Sequence, residues 1–318
     1  MGAYIVRRLA QSVVILLVVS IIIFLMMRLL PGDPILMYLS QNEMMEITEE
    51  QLAYLRAQHG LDKPLLVQYF DWMSDVFRGN LGQSLFYHTT VVYEVSQRLP
   101  VTFHLGLMAF ILSLIVGIPA GVICAVRRGT WIDTWVTIFA NLGITVPVFW
   151  LGILLMFAFG LHLKWLPVCG YTSPFDDFWL STRQSLMPIF CLAIFSIASL
   201  ARQTRSSMLE VIGQDYIRTA WSKGLRERVI VLRHTIKNAM IPVITILGLQ
   251  VGLIFGGSVL IERVFSIPGM GQLLADSLFS HDYQIVQAGT LVIAVVVVLT
   301  NLVVDISYGW FDPRIRYG

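Results

Sequence analysis

Gln214-Asp215-Tyr216-Ile217-Arg218-Thr219-Ala220-Trp221-Ser222-Lys223-Gly224-Leu225 lies between two long apolar segments of the chain. A short helix can be read from it. Asp215 suits an N-cap, Lys223 falls in the last turn, and Gly224 suits the left-handed residue just past the end. Such a helix holds about eight residues and is roughly 12 Å long. Two uses stay open on these residues alone. A capped helix between membrane spans can be a handle for another protein. A solvated basic loop would only orient the chain in the membrane.

The segments on either side decide the fold class. The chain has 318 residues, 56% hydrophobic and 13% charged, which is too apolar for an ordinary soluble domain. A membrane span needs about 20 apolar residues. Six stretches reach or approach that length, near 9–30, 101–126, 134–161, 187–200, 239–261 and 286–306. The fourth is short and is expected to continue as helix through Ala201 into the basic loop. Backbone polar groups in lipid must pair internally, so the spans are expected to be helices. The alternation of an outer-membrane barrel is not seen. The expected fold is an all-α polytopic membrane protein. It has six transmembrane helices, a long outer loop with short helices of its own, and a cytoplasmic helix in the basic loop.

Charge placement orients this arrangement. With the N-terminus inside, the inner segments hold 14 Lys and Arg and the outer segments 8, whereas acidic residues run 6 inside and 14 outside. The positive-inside rule then places both termini in the cytoplasm. The net charge of +2 hides a basic inner face that reflects topology, and no nucleic-acid partner is expected. Arg7-Arg8 before an apolar run resembles a targeting signal. The run is too long for a signal h-region and no small-residue cleavage site follows, so it reads as a retained first span. Cys124 and Cys191 fall in spans and Cys169 in an outer loop. Their spacing offers no disulfide framework and no metal site.

The domain plan has residues 1–30 as the first span, 31–100 as an outer subdomain and 101–318 as the transmembrane core, with the basic loop at 202–238. The outer subdomain carries 4 basic and 9 acidic residues. Thr48 and Gln51 form a capping-box pattern, with Leu52 and Leu55 as apolar positions and Gly60 as the stop. Pro64 then opens a second helix, in which Leu65, Leu66, Tyr69, Phe70, Met73, Val76 and Phe77 recur at helical spacing before Gly79-Asn80. The subdomain reads as a cap over the spans or as a docking surface for an extracytoplasmic carrier. In the fifth span Gly248, Gly252 and Gly256 recur every four residues and permit close helix approach, read first as packing within the subunit and otherwise as lining of the translocation path.

The stretch from Asp215 to Gly224, continuing through Arg233-His234 and Lys237-Asn238-Ala239-Met240-Ile241-Pro242, resembles the coupling loop of bacterial ABC importer permeases. Arg218-Thr219-Ala220 stands where the general motif has Glu-Ala-Ala, and Gly224 matches its glycine. The basic Arg218 and the more distant Pro242 resemble the dipeptide, oligopeptide, nickel and glutathione branch. Other stretches are similar to the first permease subunit of that branch. They are Tyr4-Ile5-Val6-Arg7-Arg8-Leu9, Leu30-Pro31-Gly32-Asp33-Pro34, Leu61-Asp62-Lys63-Pro64-Leu65 with Gln68-Tyr69, and Gly79-Asn80-Leu81-Gly82-Gln83-Ser84. Glu262-Arg263-Val264-Phe265, Pro268-Gly269-Met270-Gly271 and Asp282-Tyr283 resemble its last outer loop.

The resemblance implies an inner-membrane permease subunit of a prokaryote. Its partners would be a second, similar permease, two cytoplasmic ATPase subunits and an extracytoplasmic solute-binding protein. Asp215, Tyr216, Arg218, Thr219, Ala220, Lys223 and Gly224 would form the ATPase-coupling site. The implied cargo is a peptide or a related small solute, with nickel and glutathione as alternatives.

Enzyme chemistry is not visible. There is no Gly-x-x-x-x-Gly-Lys-[Ser/Thr] loop, no His-Glu-x-x-His and no Gly-x-Ser-x-Gly. The six histidines are scattered, and neither a catalytic site, a metal site nor a cofactor is expected. Polar residues within spans are few: His104, Asn141, Thr145, Gln250, Asn301 and Asp305. Asn141, Thr145 and Gln250 are the pathway-lining candidates, while His104 and Asp305 near span ends suit packing or capping. The alternative is a self-contained secondary transporter or channel. The buried acids of a proton-driven carrier and an inverted repeat are both missing from the sequence.

Overall fold

The computed structural model describes residues 2–29, 62–84 and 86–311. Among these, the chain is built from helices with one isolated bridge, Gln83 to Thr90. α1 spans Gly2–Leu29 and α2 spans Leu65–Phe77. α3 runs over Val91–Val126, α4 over Trp131–Thr145 and α5 over Val148–His162, whose last turns, Met156–His162, are π-helical. α6 is Phe178–Ile212 and α7 is Asp215–Ser222. α8 covers Glu227–Val264 with a π segment at Ile230–Thr235, and α9 and α10 are Met270–Phe279 and Tyr283–Phe311.

Among the described residues, five helices are long and apolar enough to cross a membrane, and the bent pair α4–α5 supplies a sixth crossing when taken as one. The third expected span is therefore not one straight helix. The axis bends by 107° between its two halves. The cause is local: Pro147 cannot donate to the helix ladder, and Val146 before it is driven to extended backbone, with ψ 125°. The fourth span is much longer than its apolar run, because Asp177 caps it early, accepting from Leu180 N at 2.9 Å. It then continues through Ala201 as expected. The proposed division at residue 100 falls inside α3, which starts at Val91 under a Thr90 cap and carries Pro100 within it. The Thr48–Gln51 capping box and Gly60 lie outside the described residues. Pro64 is the residue preceding α2, one position ahead of its first turn.

The most extensive helix–helix contact in the bundle joins α3 and α6. Ala109, Ser113, Gly117, Gly121 and Ala125 recur every four residues of α3 and are all buried. A Cβ added at Gly121 would meet the Ala201 carbonyl oxygen at 2.5 Å, and one at Gly117 would meet the Ile197 carbonyl oxygen at 2.9 Å. The two backbones touch through glycine, which is how membrane helices gain contact where water gives no hydrophobic drive. The glycine series of α8 is looser. Gly248 and Gly252 approach Asn301 and Val297 of α10, and Gly256 has nothing within 4 Å.

One ion pair braces α4 against α6. Arg205 donates to both carboxylate oxygens of Asp133, at 2.7 and 2.9 Å, and Gly129 N donates to Asp133 at 3.1 Å. Asp133 is buried, so removing its partner strands an acceptor. Arg205→Met is expected to cost about 1–3 kcal/mol. The measurement is a lowered melting temperature in detergent, with Arg205→Lys falling between variant and wild type because it keeps the charge but loses the fork. An unchanged melting temperature in Arg205→Met would remove the brace from this account.

Candidate functional site

α7 stands apart from the spans between α6 and α8. It forms because Asp215 to Ser222 holds no proline or glycine and because its two apolar inward positions match helical spacing. Ile217 is fully buried, and with Ala220 it packs on Ile230 of α8 and Val211 of α6. Asp215, Arg218 and Thr219 stand on the opposite face and Tyr216 and Trp221 flank the buried pair, all five exposed. Tyr216 is held from behind: Asn238 Nδ2 donates to its hydroxyl at 2.9 Å and to the His234 carbonyl at 3.1 Å. Residues more than twenty positions apart in sequence thus fix the angle of the handle.

The end of α7 is a double-bonded cap. Gly224 N donates to the Trp221 carbonyl at 2.9 Å, and Leu225 N donates to the Ala220 carbonyl at 3.4 Å. Gly224 has φ +74°, the left-handed region that this cap requires. The start differs from the sequence expectation. Gln214 is the N-cap, and no side chain caps the helix there. Asp215 is the first helical residue, where its charge still favours the positive end of the helix dipole. Arg218 reaches back to Asp215 at 3.5 Å in full solvent, a contact worth little by itself. Lys223 is the C-cap, one position beyond the last turn, and is exposed.

The expected pathway residues separate. Asn141 and Thr145 are exposed one turn apart near the end of α4, and Thr145 Oγ1 donates to the Asn141 carbonyl at 2.9 Å. Gln250 does not join them. It is 2% exposed and accepts from Ser196 Oγ of α6 at 2.8 Å, so it faces the interior of the subunit. A lone glutamine in an apolar run gives no hint of which partner it meets. His104 packs on Tyr171, ring nitrogen to hydroxyl at 3.0 Å, and Asp305 pairs with Arg8 at 3.2 Å.

At the end of the bundle opposite α7, the remaining motifs converge. Ser84 Oγ donates to the buried Asp282 carboxylate, which also accepts from Ile285 N at 3.3 Å. Gln83 N donates to Gln284 Oε1 at 3.0 Å. Glu262 is fully buried at the end of α8. It accepts from Thr102 Oγ1 at 2.7 Å and from Gln272 N at 3.0 Å, and Thr102 in turn accepts from Met270 N at 2.8 Å. A carboxylate thus fills the N-terminus of α9 and ties it to α3. A Cβ at Gly271 would sit 2.5 Å from Val259 Cα, so the Pro-Gly-Met-Gly stretch is glycine-rich to let α9 approach α8. Two buried polar clusters thus form at this end, one around Asp282 and a knot around Glu262, and the spacing of the motifs discloses neither. Nearby, burial raises the Tyr87 hydroxyl above its ordinary range, against the opposing pull of Arg98.

A bundle of membrane-length helices with a short, largely exposed helix between two of its spans is the architecture of a membrane transport component. The chain belongs to the family of binding-protein-dependent transport system inner membrane components, which it matches over residues 117–317. The N-terminal module of such membrane components matches residues 1–106. It is the permease subunit of a binding-protein-dependent ABC importer. The oligopeptide transport system permease protein AppB of Bacillus subtilis is 39% identical over 320 residues, covering all of both chains. A Sinorhizobium fredii protein, named as a probable peptide ABC transporter permease, is 41% identical over 317 residues, again covering both chains fully. The bundle is also similar to a chain of the inward-facing MetNI methionine ABC transporter. That match has a TM-score of 0.56 at 15% identity and covers 69% of this chain and 97% of the other.

Proposed function

We propose that this chain forms half of a peptide translocation pathway, in a heterodimer with a second, similar permease. Two cytoplasmic ATPase subunits power the pair, and an extracytoplasmic solute-binding protein delivers the cargo. Peptides are the favoured cargo because relatives matched end to end carry peptide names. The observation that carries the coupling role is α7. One face is locked onto α6 and α8 through Ile217 and Ala220, and the remaining surface leaves Tyr216, Arg218 and Trp221 exposed. An ATPase that grips the outer face moves the ends of two spans together. ATP-driven closure then biases an equilibrium between outward-open and inward-open pores by its differential grip on the two. Asp215, Thr219, Lys223 and Gly224 complete the site. Asn141 and Thr145 remain pathway candidates.

Both termini are placed in the cytoplasm, with α7 on the same side and the Glu262 knot outside. Cys169 is exposed and Cys124 and Cys191 are buried, so the chain carries its own topological probe. An impermeant maleimide is expected to label Cys169 from outside intact cells. A cysteine introduced by Ser222→Cys in a Cys169→Ser background is expected to react only after the inner face is opened. Ser84 is a poor labelling site because its hydroxyl is buried against Asp282. Labelling at position 222 from outside would reverse the assigned orientation.

The proposal is tested by mild detergent extraction of the tagged chain. A second permease and an ATPase are expected to co-purify, and substrate-loaded binding protein is expected to stimulate ATP hydrolysis by the assembly. Purification of the chain alone with transport activity intact would favour a secondary carrier.

A further inference from the structure

α2 carries an apolar stripe that no described residue covers. Its inward side meets α1. The Tyr69 hydroxyl lies 2.9 Å from Ser20 Oγ, and the Tyr69 and Trp72 rings lie 5.5 and 6.1 Å from the Phe24 ring. Its polar side faces water. Lys63 and Asp71 pair there at 2.7 Å, both about half exposed, and the Asp71 hydrogen bond raises the Lys63 ammonium above its ordinary range. Asp75 is exposed beside them. Between the two sides stand Leu66, Phe70 and Phe77, at 74%, 67% and 84% exposed. Their spacings of four and seven place them on one line along the helix.

The height of α2 against α1 identifies what meets this stripe. Ser20 and Phe24 precede Leu29, the end of the span, by about 13 Å and about 8 Å along the axis at 1.5 Å per residue. The Phe24 contact therefore sets α2 at the depth of about 5–10 Å at which an interfacial helix buries its apolar face, and the Tyr69 hydroxyl, at the tip of its ring, reaches deeper to Ser20. On α1, the residues flanking these contacts, Ile21, Ile22, Leu25 and Met26, are exposed and apolar. The stripe on α2 prolongs that lipid-facing surface. Tyr69 and Trp72 add the amphipathic rings that favour the boundary between acyl chains and headgroups.

We infer that α2 is an interfacial helix, seated on α1 with Leu66, Phe70 and Phe77 inserted among phospholipid acyl chains. An amphipathic helix of this kind lies in the membrane plane with its apolar face at the headgroup–acyl boundary and its charges in water. It would hold Leu65–Phe77 flat against the bilayer, on the same side as the Glu262 knot. Only part of the non-core chain on that side is then free to meet a carrier protein.

Spin labels test this in the assembled complex, reconstituted in phosphatidylethanolamine and phosphatidylglycerol vesicles. Single Leu66→Cys, Phe70→Cys, Phe77→Cys and Asp71→Cys variants are labelled in a background without native cysteines. Power saturation compares oxygen, which concentrates in lipid, with a water-soluble nickel chelate. Positions 66, 70 and 77 are expected to favour oxygen and position 71 the chelate. The same chelate preference at 70 as at 71 would overturn the inference. So would shielding of 66, 70 and 77 from both reagents, which would mean that residues 30–61 or the second permease cover the stripe.

Discussion

Replacing Gly224 by valine is expected to leave the permease inserted and folded, yet weaken its hold on the proposed ATPase. The residue has φ +74°, and an added Cβ meets nothing within 4 Å. The penalty is therefore conformational, with no steric part from neighbours. A β-branched residue held there costs on the order of 1–3 kcal/mol. That strain falls on a helix of eight residues with two buried side chains, so α7 tilts or frays while the spans stay packed. Both cap bonds, from Gly224 N and Leu225 N, depend on this one dihedral. Substrate-stimulated ATP hydrolysis and ATPase retention are expected to fall severalfold in Gly224→Val at near-normal membrane abundance. Gly224→Asn is expected to lie nearer wild type, because asparagine tolerates the left-handed region. Full retention and transport in Gly224→Val would show that either the cap or the coupling role is misassigned.

Gly121→Leu is expected to do the reverse, abolishing the folded permease before any question of coupling arises. The obstacle to a side chain at Gly121 is the Ala201 carbonyl oxygen at 2.5 Å and Thr204 Cβ at 2.6 Å. Neither is the end of a flexible chain that can swing away. Overpacking a core typically costs about 1–3 kcal/mol, and a backbone obstacle places this variant at or above the top of that range. Membrane abundance and melting temperature are both expected to fall sharply. Gly256→Ala, on a glycine with open space around it, is the control and is expected to behave as wild type. Normal abundance of Gly121→Leu would mean that α3 and α6 are not in contact at this height.

The two variants mark the boundary of what the sequence discloses. Hydropathy shows where the chain crosses lipid, because about 20 apolar residues are needed whatever the packing. It does not show direction, so the 134–161 run reads as one span although Pro147 turns it by 107°. Gly224 is legible because a helix end leaves a local signature. Asp215 misleads for the same local reason: it is a good N-cap residue placed one position too late. The Ala109–Ser113–Gly117–Gly121–Ala125 stripe was as regular as the glycines of α8, but its meaning depends on which helix lies opposite. Gln250 and Ser84 look like free polar groups until Ser196 and Asp282, far away in sequence, are brought against them. Long-range pairing was the missing information in each case.

Reconstitution in proteoliposomes tests the central claim most directly. The chain is incorporated alone, and then with its second permease, ATPases and peptide-binding protein. The account predicts neither ATP hydrolysis nor uphill uptake by the chain alone, and ATP-dependent peptide accumulation by the full set. That accumulation should drop with Gly224→Val in the same assembly. Uphill accumulation by the chain alone would contradict the account and make the α7 loop an element of topology only.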